Sequence, residues 1–354
     1  MLKVLHINTE KTWRGGERQL FLQFKYSSKT VNYLVCRKES AVSSRIGPLA
    51  ENAFELPMRS GLNIFSSFKL AAICKAEGID VVHAHSPKAL SIAFIASLFS
   101  KLRIVTTKRT IFPVRSNWLT KRKYQACDLI VCVSKKSREV LLQSLSNART
   151  KVVPSAIESI RNVENLKIPE GLKIHAGKQK IGYVAALTKE KNIDSFLSVA
   201  QKIISKRKDV VFIWIGDGHL KKEVQSSIDA EELSDNIILV GFQRDVHHWM
   251  GHLDILFFPS ASEGFPTTIL DSFQLGVPVV ASNVGGIPDI IDHGQNGLLC
   301  DPFDVEGFEE NILSLLNDSN VAATLRDKGL DSFKQHLAEY RIPQIEKTYS
   351  DILG

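Results

Sequence analysis

From Pro259 to Pro288 the chain reads PSASEGFPTTILDSFQLGVPVVASNVGGIP, and the succession of residue types there decides the fold. The run just before it, Asp254-Ile-Leu-Phe-Phe258, is apolar without alternation. That is the pattern of a strand covered on both faces in a parallel sheet. Pro259 and Ser260 end the strand, and Glu263 and Gly264 fall in the loop that follows. Pro266 has the fixed φ that suits a first helical position, so a helix is predicted from there, with Ile269, Leu270, Phe273 and Leu275 on its packing side. At the N-terminus of such a helix, free amides and the helix dipole together attract phosphate.

Asp271 follows Glu263 by eight residues, which puts one carboxylate in the loop and one a turn into the helix. Taken singly, each reads rather as a helix-cap acid or a solvated surface acid than as a ligand group. Together, beside a phosphate site, they would repel the anion unless aimed at hydroxyl groups next to it. That combination suits a nucleotide sugar, with one acid for the sugar and one for the ribose.

Outward from this stretch the same alternation of short apolar strands and helical segments fills the chain. It runs from Lys3 to Lys151, lapses over a polar segment containing Pro154, Pro169, Gly171 and Gly177, and restarts at Ile181. The expectation is α/β architecture: two Rossmann-like, doubly wound parallel-sheet domains facing each other across a cleft. The N-terminal domain is assigned to residues 1–157, a linker to 158–180 and the C-terminal domain to 181–340, with a last helix, about 341–354, packing back on the first domain.

The chain has 354 residues and a net charge of +7, which conceals a division. Residues 1–151 hold 26 basic and 9 acidic side chains, whereas 181–354 hold 14 basic and 26 acidic. A basic half points to an anionic membrane surface or acidic acceptor; none of the usual nucleic-acid modules is present, so no nucleic acid is expected. The basic run comprises Lys108, Arg109, Arg115, Lys121, Arg122, Lys123, Lys135, Lys136 and Arg138, with Ile111, Phe112 and Trp118 among them. No apolar run approaches the ~20 residues that span a bilayer, and the N-terminus enters a strand directly. The expected location is cytoplasmic, peripheral on the inner face of the membrane. Five cysteines without CxxC spacing read as reduced core residues.

Several short motifs, in one order, carry a resemblance. They are Gly15-Gly16-Glu17-Arg18, Asp80-Val-Val-His83-Ala-His85, Glu263 with Asp271, Gly276-Val-Pro278-Val-Val, and Gly285-Gly-Ile-Pro-Asp289. Together they resemble the retaining glycosyltransferases of family 4, with the GT-B fold, over nearly the whole chain. The resemblance implies transfer of a sugar from a nucleotide-diphosphate donor to a glycan or glycolipid acceptor, in the style of lipopolysaccharide or exopolysaccharide assembly. It implies no cofactor and no metal; the chain has no Asp-x-Asp motif.

By residue, the resemblance implies that Glu263 meets the donor sugar's hydroxyls, Asp271 the ribose, and Lys191 the diphosphate. His85 would lie on the sugar's reacting side. Backbone amides of Phe265, Thr267 and Thr268, next to Gly264, would cradle the phosphates. Gly15 and Gly16 would let a helix N-terminus approach them. Gly216, Asp217 and Phe242 would line the nucleotide end, although Gly216-Asp217-Gly218 by itself reads rather as a turn after a strand. Ala186 stands where the family has an arginine. That departure keeps open a non-catalytic relative that binds a nucleotide sugar or glycan; a nucleotide-sugar epimerase is a further alternative.

Overall fold

A computed structural model describes residues 1–58, 63–115 and 117–354. The chain divides into two compact units, Met1–Glu158 with His336–Gly354, and Ser159–Gln335.

The first unit runs β1 (Leu2–Asn8), α1 (Gly15–Tyr26), β2 (Thr30–Arg37), α2 (Ala41–Ile46), β3 (Ala53–Leu56), α3 (Ile64–Glu77), β4 (Val81–Ala84), α4 (Pro87–Ser97), β5 (Arg103–Lys108), α5 (Trp118–Gln125), β6 (Leu129–Cys132), α6 (Lys135–Ser144) and β7 (Thr150–Val152). Its seven strands are ordered β3-β2-β1-β4-β5-β6-β7, all parallel. The second unit runs α7 (Glu170–Lys173), β8 (Gln179–Val184), α8 (Ile193–Lys206), β9 (Val210–Ile215), α9 (Lys221–Ala230), β10 (Ile237–Gly241), α10 (Val246–Met250), β11 (Ile255–Phe258), α11 (Thr267–Gln274), β12 (Val279–Ser282), β13 (Leu298–Cys300), α12 (Val305–Asn317) and α13 (Ser319–Ser332). Its six strands are ordered β10-β9-β8-β11-β12-β13, again parallel.

Burial explains the strands. Residues 210–215 and 255–258 are buried at every position, as strands covered by helices on both faces must be. Trp214, Phe196, Phe212 and Phe257 fill the second core, with rings of Phe196 and Trp214 4.8 Å apart. Helix α8 buries Ile193, Phe196, Val199, Ala200, Ile203 and Ile204, a stripe at helical spacing.

A final helix, α14 (Ala338–Asp351), belongs to the first unit. Ala338, Ile342, Ile345 and Tyr349 pack with Val4, Leu22, Val81 and Val105. Glu346 is buried, and its Oε1 accepts from Ser28 N (3.0 Å), Lys29 N (2.7 Å) and Thr30 Oγ1 (3.1 Å). Residues 336–340, assigned above to the second domain, therefore lie in the first unit.

Two other segments differ from expectation. Residues 159–180 are part of the second unit rather than a free connection. Leu172 is buried there, Lys167 N donates to His248 Nδ1, and β8 starts already at Gln179. In the basic run, Lys108 is buried and donates to the Phe112 carbonyl at 2.6 Å. Lys108 thus faces inward at the end of β5, and Arg109, the next residue, is only partly exposed. Among the described residues no helix is long and apolar enough to cross a membrane. The cysteines are free; Cys36, Cys74 and Cys132 are buried, and burial pushes their thiols up to about 11, 12 and 11.

Candidate active site

In an open parallel sheet, ligands sit beyond the carboxyl ends of two neighbouring strands whose connections run to opposite sides. In the second unit those strands are β8 and β11. The loops after them bring Lys191 and Glu263 together, with Nζ 2.5 Å from Oε1 and side chains 19% and 11% exposed. The same carboxylate oxygen accepts from Ser260 Oγ at 2.6 Å, and Ser260 Oγ is 2.6 Å from the hydroxyl of Tyr183, a buried residue of β8.

Backbone contacts lock the two loops to each other. Ala261 N donates to the Glu190 carbonyl at 3.0 Å. Asn192, in the left-handed region at φ 55°, donates through Nδ2 to the carbonyls of Pro259 (3.0 Å) and Pro302 (2.5 Å). Asparagine tolerates that backbone better than most side chains. Gly285, at φ 59°, lies so close that a Cβ there would be 1.8 Å from the Glu263 carbonyl oxygen, and Gly286 N donates to that oxygen at 3.1 Å. The glycine pair thus shapes the loop that presents Glu263.

Helix α11 begins at Thr267, one residue later than predicted, and Pro266 is its N-cap with ψ 103°. The reason is that the Pro266 carbonyl already accepts the first-turn bond, from Ile269 N at 3.3 Å. Proline offers no side-chain acceptor, so the first-turn amides of Thr267 and Thr268 stay open to a ligand. Gly264 and Phe265 lead into that turn, with Phe265 buried. Asp271 is buried in α11, its Oδ2 3.9 Å from Nε2 of His247 on α10, a neighbour that the sequence did not suggest.

Gly216, Asp217 and Phe242 follow β9 and β10. Gly216, at φ 146°, would place a Cβ 1.9 Å from the Ala185 carbonyl oxygen, and Gly218 one 2.3 Å from that of Leu187. Asp217 accepts from Gly218 N at 2.8 Å. These residues therefore hold the backbone leading to Lys191. Phe242 is 77% exposed.

In the first unit the corresponding strands are β1 and β4. Gly15 and Gly16 open α1 after β1, and His85 follows β4. Beside them lies Arg109, at the end of β5; its Cδ and Nε are 3.5 and 3.6 Å from where a Cβ on Gly16 would be. Arg109 Nη2 is 3.3 Å from His85 Nδ1, His85 Nε2 is 2.9 Å from His6 Nδ1, and His6 Nε2 is 3.1 Å from Asn32 Oδ1. A guanidinium only donates, so the tautomers follow: His85 carries its proton on Nε2, and so does His6. Burial keeps both rings neutral, with His6 pulled down to about 4 and His85 well below the usual range. His83 is bonded at Nδ1 to the Tyr349 hydroxyl and at Nε2 to Thr107 Oγ1, 2.7 Å each.

Ligating atoms of His6, His83 and His85 lie within 4.8 Å of one another. The rings of His83 and His85 are tilted at 33° with centroids 4.1 Å apart, and all six nitrogens already have partners.

The structure thus joins Lys191 and Glu263 in the second unit, with α11 following the same loop, and joins His85 with Gly16 in the first. Sequence patterns did not reveal Tyr183, Ser260, Asn192 and His247, nor the role of Arg109, whose sequence context reads only as part of a basic run.

Comparison with known proteins matches both units. A model described as "Glycosyl transferases group 1" matches residues 164–331, and one described as "Glycosyltransferase Family 4" matches residues 34–161. An uncharacterized glycosyltransferase of Methanocaldococcus jannaschii is 28% identical over 82% of this chain and 80% of its own length. The Escherichia coli UDP-Gal:alpha-D-GlcNAc-diphosphoundecaprenol alpha-1,3-galactosyltransferase is 21% identical over 99% of this chain and 97% of its own. Among solved structures, Anabaena HepE in complex with UDP superposes with a TM-score of 0.83 at 19% identity, over 99% of this chain and all (100%) of that one, which shows a shared fold. With both units matched in this way, the chain belongs to the group 1 glycosyltransferases of family 4 and has the GT-B fold.

Proposed function

We propose that this glycosyltransferase retains configuration and moves a sugar from a nucleotide-diphosphate donor to a glycan or glycolipid acceptor in cell-surface polysaccharide or lipopolysaccharide assembly. One observation carries the donor half of this reading: the Lys191–Glu263 pair at the carboxyl ends of β8 and β11, in the loop that runs into the open first turn of α11. A leaving diphosphate needs its growing charge stabilised, and a lysine with helix amides provides this without a metal. Lys191 would turn from Glu263 to the phosphates when donor enters, freeing Glu263 for the sugar's hydroxyls. Buried Asp271 would take the ribose. Ala186 is exposed and brings no charge, which leaves Lys191 to meet the leaving group. The named relatives, one acting on a diphosphoundecaprenol-linked sugar and one crystallised with UDP, support the donor and acceptor classes.

The test is a panel of nucleotide sugars screened by thermal shift, since a bound donor stabilises by mass action. Transfer with the hit, read by NMR of the product anomer, should give retention; an inverted product would sink that part. Lys191→Ala and Glu263→Gln should each lower turnover at least a hundredfold, and full activity in both would end the donor assignment.

We also propose that the first unit docks on the anionic inner face of the membrane. Phe112 and Trp118 are exposed beside basic Arg115, Lys121 and Arg122, and each basic residue near such a surface contributes roughly 1 kcal/mol. Co-sedimentation with vesicles should require anionic lipid and weaken with salt.

A further inference from the structure

We propose that Arg109, aimed by His85, is an anion-binding group of the first unit and takes a phosphate or diphosphate carried by a substrate. Arg109 has no carboxylate within ion-pair distance among the described residues; the nearby Glu17 carboxylate is used by Asn8 Nδ2 (3.1 Å) and Arg14 N (3.0 Å). Of its five donors one meets a partner, His85, and Nε is enclosed with none. A guanidinium this desolvated is costly unless an anion joins it. Burial lowers Arg109 to about 10, which still leaves it charged at neutral pH.

The support is built to preserve that charge. A carboxylate in place of His85 would neutralise Arg109, whereas a neutral imidazole positions it and leaves the charge for a ligand. The His85–His6–Asn32 chain fixes the acceptor nitrogen toward Arg109. Gly16 sets the start of α1 beside the guanidinium stem: a Cβ there would lie at ordinary contact distance, 3.5 Å, from Arg109 Cδ. The first turn of the twelve-residue α1 adds amides, since its N-cap Arg14 has no side-chain acceptor. A planar fork next to open amides matches phosphate oxygens. His85 is then a positioning residue, with both nitrogens occupied.

This inference rests on the transferase reading only for which substrate owns the phosphate. The probe is inorganic pyrophosphate, titrated calorimetrically into the full chain in a Lys191→Ala background that removes the second unit's cation. Adding Arg109→Gln should weaken binding by about tenfold to a hundredfold. Arg109→Lys, which keeps a point charge and serves if the Gln variant misfolds, should lose about tenfold. His85→Leu should also weaken binding, and His85→Asn, which keeps an acceptor, should restore most of it. Saturating UDP distinguishes the sources: Arg109-dependent pyrophosphate binding that UDP abolishes belongs to the donor, and binding that persists beside UDP belongs to an acceptor. Pyrophosphate affinity unchanged by both Arg109 variants overturns the proposal. That result would leave the Lys191–Glu263 assignment intact, because it is read from turnover.

Discussion

At Gly285 a missing side chain lets the Glu263 loop close: φ is 59° and the Glu263 carbonyl oxygen occupies the space of a Cβ. Gly285→Ala should therefore cost more than about 2 kcal/mol in denaturant unfolding, from strain and displacement together, and should weaken donor binding over tenfold in titration. Tyr183→Phe is milder. It removes the hydroxyl behind Ser260 while Ser260 still reaches Glu263, so about 1 kcal/mol of stability is expected to go, with a smaller effect on turnover. Glu263 and Lys191 were legible in the sequence because each sits in a motif with its own local chemistry, a strand end before a helix. Tyr183 and Asn192 were not, because they act on residues about 70 positions away that only the sheet brings near. Arg109 was misplaced for the same reason: a basic run looks alike whether its members point outward or cap a strand.

Among the elements, the unbroken apolar run was readable from its pattern alone: the strand expected at Asp254–Phe258 stands as β11, Ile255–Phe258, buried throughout. The short edges were not. Strand β7 is three residues, Thr150-Lys-Val152, and β3 reads Ala-Phe-Glu-Leu, too brief or too polar to show a period. Helix α14 is the element most dependent on context, since its place in the first core rests on tertiary contacts. Its Glu346 is the acceptor for two amides and a hydroxyl at the start of β2. Glu346→Ala should cost about 2–4 kcal/mol and raise amide exchange at Ser28 and Lys29, whereas Glu346→Gln, which keeps an acceptor, should cost less.

Across the whole molecule, buried neutral histidines set the response to acid. His6 and His336 are both lowered to about 4 by burial, and His83 and His85 are lowered as well. The unfolded chain takes up these protons near pH 6.5 and the folded chain does not, so stability is full above pH 6.5 and declines as pH falls toward about 4. For His6 alone the loss is about 3 kcal/mol. Thermal midpoints from pH 8 to 4.5 should drop steeply below 6.5, and His6→Asn should flatten that drop; a flat wild-type profile would contradict neutral burial.

Because the second unit is continuous while the first recruits residues 338–351, the two differ in when they can be completed. On the ribosome, the second unit has its whole sequence available before synthesis ends. The half made earliest must wait, its surface around Val4, Leu22 and Val105 uncovered, until α14 emerges. Nascent chains stalled before residue 338 should thus engage chaperones through the N-terminal half, and loss of the final helix should harm expression more than it alters any single contact.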